Sequence, residues 1–362
     1  MRRPVFIVII ISIMSSVSCH RAISRSSAPV KDSISIGGYY FDGWTGKTFH
    51  VSPKLRDSFP DRKPVWGWVT STPEIVKEQI DLAADAGLSF FSFCWYYAKG
   101  ETENLEDDIM NHALSLYLKS PNKNRLRFSL LVANHEGYII GPREWPVVCR
   151  AWIRLFQEPS CLRINGKPFI TFFSLSTLQK SFGTDDALRS ALDELRTQAE
   201  QAGLNGVTIA VALGPDKSKM KAAKRCGFDV LTGYNDHAAG FKNGTAIEPI
   251  ENLLNGTKEV WKKFEAAPLP YLPVATLGWD MRPWTKENDG SSPRYAGYSP
   301  PSVYASIRSL KEWIRAHPGH TVRENLGIVY AWNEYGEGAW LTPSVPLKDS
   351  LLAAVKRALE EK

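Results

Sequence analysis

Apolar residues along this chain follow two spacings in turn. Short, nearly continuous apolar runs are each followed by a longer stretch in which apolar residues recur every three or four positions. The first pattern predicts buried strands and the second predicts helices with one apolar face. Strands are expected over 33–41, 88–96 (LSFFSFCWY), 127–134 (RFSLLVAN), 162–173, 206–213 (GVTIAVAL), 228–234, 271–277 and 326–332 (LGIVYAW). Helices fall over 73–86, 105–118, 145–156, 185–202, 217–226, 250–266, 302–317 and 347–360. Asn165-Gly166 inside the fourth run marks a hairpin turn that leads into its strand. Eight strand-then-helix units with apolar strands predict one α/β domain over 34–362, a single (β/α)8 TIM barrel with the helices outside. An open doubly wound sheet is the rival, but no strand is followed by the G-x-G-x-x-G turn such sheets use.

The N-terminus carries a different pattern. Arg2 and Arg3 precede an apolar run from Val5 to Met14, then Ser15, Ser16, Val17 and Ser18, and then Cys19. A short basic start, a ten-residue apolar run and small residues predict an export signal over 1–18. The run is shorter than the ~20 residues of a transmembrane helix. A cysteine directly after the small residues resembles a bacterial lipoprotein signal. That resemblance implies cleavage before Cys19, lipid attachment to it, and a place in the cell envelope, with simple secretion as the alternative. Residues 19–33 read as a flexible tether.

Composition narrows the function classes. With 362 residues, 43% hydrophobic and 11% aromatic, the chain has ample material for a core. The formal charge of +6, falling to +4 once the two arginines of the signal are removed, suggests no nucleic-acid partner. Membrane contact is expected through the lipid anchor alone, and the protein is expected to be a monomer. Beyond Cys19, Cys94, Cys149, Cys161 and Cys226 form no C-x-x-C or Cys/His cluster, so no zinc site is expected. Buried thiols are the default reading, with a Cys149–Cys161 bridge left open. Twelve Trp and thirteen Tyr are unusual, and flat rings suit sugar faces.

In a barrel of this kind the chemistry gathers where strands end. Tyr39, Tyr40, Asp42 and Trp44 follow the first strand, and Trp95 and Tyr96 the second. Asn134, His135 and Glu136 follow the third; Tyr234 and His237 the sixth; Trp279, Asp280 and Arg282 the seventh. The eighth ends in Trp332, Asn333, Glu334, Tyr335, Gly336, Glu337 and Gly338. Rings, amides and carboxylates at one rim are the material of a carbohydrate site, although any single ring could equally close the barrel top. A poly- or oligosaccharide is therefore the expected partner. Arg282, Arg143 and His237 could meet an acidic glycan; solvated charge for Arg143 and pairing with Asp280 for Arg282 are the plainer readings. No metal or other cofactor is indicated, with Asp236 and Asp280 left open as oxygen ligands for calcium or magnesium.

Glu334 and Glu337 are the candidate catalytic pair. Strand alternation places Tyr330, Trp332 and Glu334 on one face, and an extended chain would turn Glu337 to the other. Gly336 and Gly338 let the chain leave the strand, so both carboxylates can face one cavity. Two close carboxylates in apolar surroundings have their pKa values pushed apart, so one can donate a proton while the other accepts. The plainer alternative is a pair of loop acids matched to Arg282 or a lysine.

The stretch Ala331-Trp332-Asn333-Glu334-Tyr335-Gly336-Glu337-Gly338, with Pro343 following, resembles the N-E-W-x-E-G signature of the glycoside hydrolase family 99 group and its WbsX-like relatives. Gly278-Trp279-Asp280-x-Arg282-Pro283, Ala133-Asn134-x-Glu136 and the hairpin from Ile164 to Pro168 resemble further segments, so the likeness runs over most of 34–345. It implies a retaining glycoside hydrolase that acts on mannose-containing glycans. It also implies that Glu334 deprotonates the sugar 2-hydroxyl, giving a 1,2-anhydro intermediate, and that Glu337 is the acid/base. Three departures stand out: Tyr335 replaces the usual Trp, Thr342 replaces an acid, and His135 sits between Asn134 and Glu136. They are expected to line subsites and so to bear on substrate identity.

Two other readings compete. One is a glycosyltransferase or transglycosylase, yet no nucleotide-sugar phosphate loop or D-x-D-type site is evident. The other is a non-catalytic surface glycan-binding lipoprotein, against which the presence of both Glu334 and Glu337 argues.

Overall fold

The β-rich apolar runs form eight parallel strands among the described residues: β1 (Ser35–Tyr40), β2 (Phe90–Trp95), β3 (Arg127–Val132), β4 (Lys167–Phe172), β5 (Thr208–Ala212), β6 (Val230–Thr232), β7 (two pieces, Tyr271–Leu272 and Val274–Thr276) and β8 (Leu326–Tyr330). The computed structural model describes residues 33–98, 100, 108–242, 245–285 and 291–361. The expected signal over 1–18, Cys19 and all of the tether but residue 33 lie outside the described residues.

Neighbouring strands pair in chain order from β1 to β7, and β8 pairs with β1, Gly37 opposite Ile328. The ring closes through β7. Its first piece pairs with β6 (Leu231 opposite Tyr271) and its second with β8 (Val274 opposite Ile328). Pro273, which has no N–H to give, stands at the break, while its carbonyl still accepts from Ile328. The fold is the expected TIM barrel.

Helices cover the outside because each presents one apolar stripe. In Trp145–Phe156 the buried residues Trp145, Val148, Cys149, Trp152 and Phe156 recur at helical spacing. Thr72, Ser174, Thr184 and Asp216 cap four helices by accepting from backbone N–H groups of the first turn. Gly327 keeps its side of β8 bare, since a Cβ there would crowd Ile36, Leu310 and Ile314 at 2.9–3.0 Å.

The structure departs from the sequence expectation in several places, among them the unexpected helix Pro53–Ser58 and the paired strands Ile247–Pro249 and Arg294–Ala296. A helix over Leu175–Phe182 precedes Asp185–Gln201 and was not expected, because eight residues hold little periodic signal. The described part of the second helical stretch is a 3-10 turn, Ile109–Asn111, followed by His112–Lys119. Strands β3, β6 and β8 stop two residues before their apolar runs do, and those last residues turn into loops at the rim. Cys94, Cys149, Cys161 and Cys226 are all buried and free.

Candidate active site

The eighth strand ends at Tyr330, and the chain then forms a small hairpin. Asn333–Glu334 pairs antiparallel with Ala339–Trp340, Glu334 opposite Ala339. The turn between them is closed by the Glu337 N–H donating to the Glu334 carbonyl at 3.2 Å, and Gly338 takes φ +75°. A tight turn followed by a left-handed residue is a common way to end such a hairpin. This turn brings Glu334 and Glu337 into one cavity. Gly338 is needed for its φ. Gly336 is needed for space, since a Cβ there would sit 1.8 Å from the Trp284 ring.

The hairpin is held from several sides. Asn333 accepts from the Phe41 N–H and donates to the Phe41 carbonyl, both at 2.8 Å, which ties it to the end of β1. The Asp280 N–H donates to the Glu337 carbonyl at 2.7 Å. Arg62, buried, donates to the carbonyls of Tyr335 and Asp280 at 2.9 Å and pairs with the Asp280 carboxylate. Burial pushes the Arg62 pKa down to about 10, still well above neutral.

The cavity holds about 360 Å³. Tyr234 donates its hydroxyl to Glu334 Oε1 at 2.9 Å, and Tyr330 donates to Glu337 Oε2. Desolvation raises both carboxyl groups above their ordinary range, and Glu334 further because the Glu337 charge faces it. Each phenol works the other way, since a hydrogen bond to an ionised carboxylate favours that form. The two carboxyls share one buried cavity and face each other's charge, so their titrations depend on one another. Around it stand Tyr96, His135, His50, Phe49 and Trp284. Burial lowers the His50 pKa to about 4, so that ring is neutral near pH 7.

Of the residues singled out in the sequence, Tyr96, His135, Tyr234, Glu334 and Glu337 line this cavity. Trp279, Asp280 and Arg282 line a different one. His237 bonds Asn235 at 2.6 Å and lines a third. Arg282 grips Asp280 through Nε and Nη2 at 2.8 and 2.7 Å, which is the plainer of its two sequence readings.

Nine others are buried and line none of these three cavities. Tyr39 donates to the Gly233 carbonyl, Tyr40 packs on Phe91 and Phe93, and Trp95 packs on Trp152. Asp42 accepts from Ser71 and from the Ala113 N–H, and burial moves its pKa up to about 6. Trp44 donates to the Asn333 carbonyl, and Asn134 binds Ser174 and Thr177. Trp332 donates to Gln79 rather than sharing a face with Tyr330, while Asn333 serves Phe41. Tyr335 is buried against Trp44 and bonds Thr342 at 2.9 Å. Two departures from the motif, Tyr335 and Thr342, are thus each other's partners in the core; only His135 faces the cavity. Glu136 is exposed and lines none of the three cavities.

Sequence reasoning missed Arg62, His50, Phe49 and Trp284, which sit in loops or single 3-10 turns without periodic pattern. Trp284 alone had a signal, following directly on the Gly278–Pro283 segment. Among the described residues no group of three or more His, Cys, Asp or Glu is placed to hold a metal ion.

The family described as Glycosyltransferase WbsX matches residues 68–355. The chain belongs to that family. The chain is similar to the uncharacterized protein WxcX of Xanthomonas campestris pv. campestris (strain B100), 24% identical, with 88% of this chain matched. The chain spans about half (47%) of the length of that relative. The GH99 endo-α-mannosidase of Bacteroides thetaiotaomicron shares the fold, with a TM-score of 0.60 at 17% identity over 90% of this chain and 94% of that one. A glycoside hydrolase-like protein superposes with a TM-score of 0.65 at 13% identity, over 92% and 96%. The chain therefore shares the barrel fold of these two proteins and carries two carboxylates on the hairpin after its last strand.

Proposed function

We propose that this chain is an exported, lipid-anchored, retaining glycoside hydrolase that cleaves a polysaccharide or glycan with Glu334 and Glu337. The observation that carries the reading is the shared cavity in which two buried carboxylates each accept from a tyrosine hydroxyl. Cleaving a glycosidic bond needs one group to give a proton to the leaving oxygen and another to drive displacement at the anomeric carbon. A buried pair that holds one proton supplies both in a single protonation state.

In this reading the shared proton, which burial and the facing Glu337 charge favour on Glu334 in the free protein, lies on Glu337 once substrate is bound, and Glu337 delivers it to the leaving oxygen. Glu334, ionised, removes the proton of the sugar 2-hydroxyl as that oxygen closes on the anomeric carbon and the leaving group departs. The 1,2-anhydro sugar is then opened by water, whose proton goes to Glu337 while Glu334 returns its proton to the sugar O2, and the configuration is retained overall. Burial that raises the proton affinity of Glu334 makes it a stronger base once ionised. The endo-α-mannosidase name of a fold neighbour makes mannose-containing glycans the first substrates to try. The family's glycosyltransferase name fits the same intermediate opened by a sugar hydroxyl instead of water.

Incubation with a broad polysaccharide panel tests the reading. Wild type runs beside Glu337→Gln, and reducing ends and released oligosaccharides are measured. Products that fall by about 10²–10⁴-fold in the variant are expected. Glycans bound equally by both proteins and cut by neither would replace hydrolysis with binding. Cys19→Ala should move the protein from the membrane fraction to the soluble one.

A further inference from the structure

A second cavity, of about 590 Å³, lies beside the catalytic one, and the two share no lining residue. The wall between them is the Glu334–Gly338 turn together with the segment from Asp280 to Trp284. Glu334, Glu337 and Trp284 face the catalytic side, and Gly338, Asp280 and Arg282 face the other.

The second cavity is lined by rings and by fixed charges. Trp279, Tyr295, Tyr298 and Trp340 supply the rings. His237 stacks on Trp279 at 4.0 Å and 18°, which fixes the orientation of the indole. Arg62 and Arg282 both pair with the Asp280 carboxylate, and Asp61 also lines the cavity, so two cations and two anions stand in its wall and the lining carries no net charge. Trp340, 6% exposed, has its indole N–H buried and without a hydrogen-bond partner among the described residues. Buried donors are nearly always paired, and one left open beside a cavity points to a partner that comes with a ligand.

We propose that this cavity is a second sugar-binding site, taking a neutral sugar residue apart from the one at the catalytic pair. Aromatic faces take the C–H faces of a pyranose, and held polar groups take its hydroxyls. The balance of Arg62 and Arg282 against Asp61 and Asp280 disfavours uronates, sulfates and phosphates, because the lining carries no net positive charge and two carboxylates stand in it. The site touches catalysis through one bond, from the Asp280 N–H to the Glu337 carbonyl. This inference rests on the reading of the chain as glycan-acting.

The test is calorimetric titration of Glu337→Gln protein, whose turnover is expected to be slowed by about 10²–10⁴-fold, with mannotetraose, cellotetraose, xylotetraose and tetragalacturonate. Trp340→Phe, which keeps a ring but removes the N–H, and Arg282→Gln are then made in the same background. Far-UV circular dichroism and melting confirm that each is folded. The expected result is binding of a neutral tetrasaccharide that each variant weakens at least tenfold, with tetragalacturonate unbound. Unchanged affinity in both folded variants overturns the second site and leaves the hydrolase reading standing. Failure of every neutral tetrasaccharide to bind at millimolar concentration also overturns it. Hydrolysis of the panel by wild type then decides separately whether the catalytic reading falls as well.

Discussion

The hydroxyl of Tyr234 donates to Glu334 across 2.9 Å, and its ring lies 4.8 Å from that of Tyr330, which donates to Glu337. Two touching phenols therefore serve two carboxylates. Burial drives both acids toward the protonated form, and each phenol restores part of the stability of the ionised form. The balance decides at what pH one member of the pair is charged and the other is not, which is the state the proposed reaction uses.

Tyr234→Phe removes one half of that balance while keeping the ring. A hydrogen bond to a charged group contributes about 1.5–3 kcal/mol, so kcat/KM should fall roughly 10–100-fold. The sign on pH follows directly. Without its donor the Glu334 pKa rises further, so the acidic limb of the pH–rate profile should move to higher pH. A profile that drops in height without moving would mean that Tyr234 contacts substrate instead of tuning Glu334.

Glu334→Gln should stabilise the fold in a pH-dependent way. The carboxyl is raised in the folded state, so the folded protein holds a proton that the unfolded chain releases above its ordinary value of 4.5. Stability contributed by that proton is complete below the unfolded value and is lost as pH rises toward the folded one. Removing the group removes that loss. The melting temperature of the variant relative to wild type should therefore be higher at pH 8 than at pH 4. Each kcal/mol corresponds to roughly 2–4 °C in a chain of this size class. A difference that is flat with pH would place the wild-type charge elsewhere.

How much of this was legible in the sequence depends on what each feature needs. The strands declared themselves as apolar runs because a parallel barrel buries both faces, and the Glu334–Glu337 spacing was visible because the two share one loop. What failed was the assignment of rings to faces. Tyr39 and Tyr40 are adjacent, so one points into the barrel and the other under the helices, and alternation without register does not say which. Trp332 shows the same limit. The strand ends at Tyr330, so the face expected for residue 332 no longer follows. Arg62 was invisible because its partners, Asp280 and the Tyr335 carbonyl, lie more than two hundred residues away and are joined to it only by the fold.

Arg62 tests the support of the hairpin. Its guanidinium is buried, and removing it leaves the Asp280 carboxylate with Arg282 alone and two carbonyls without a donor. Arg62→Ala should destabilise the protein by about 3–5 kcal/mol. Arg62→Lys keeps the charge but not the fork, so its melting temperature should fall between those of wild type and Arg62→Ala. The Asp280 carboxyl is held below its ordinary value, chiefly by the Arg282 and Arg62 contacts that outweigh its desolvation. The stability it contributes is present above the unfolded value and is lost as pH falls through the folded one. The gap between wild type and Arg62→Ala should accordingly narrow in acid. Chemical denaturation at pH 7 and pH 3 measures it.

Gly336 stands between the two catalytic candidates, and its neighbour is a ring. A Cβ at this position would lie 1.8 Å from Trp284, so Gly336→Ala must move either the ring or the turn. The ring is hemmed in by Trp44, Phe49 and His50, with centroids 5.5–6.4 Å away, whereas the turn carries Glu334 and Glu337 on either side. Displacing a catalytic group by about 1 Å can reduce rate by roughly 10². Gly336→Ala should therefore lose about that much activity. The double variant Gly336→Ala/Trp284→Ala opens the space that the methyl group needs, and it should be more active than Gly336→Ala even though Trp284→Ala by itself lowers activity. A double variant no better than the product of the two single losses would show that the glycine matters for something other than the room it leaves for Trp284.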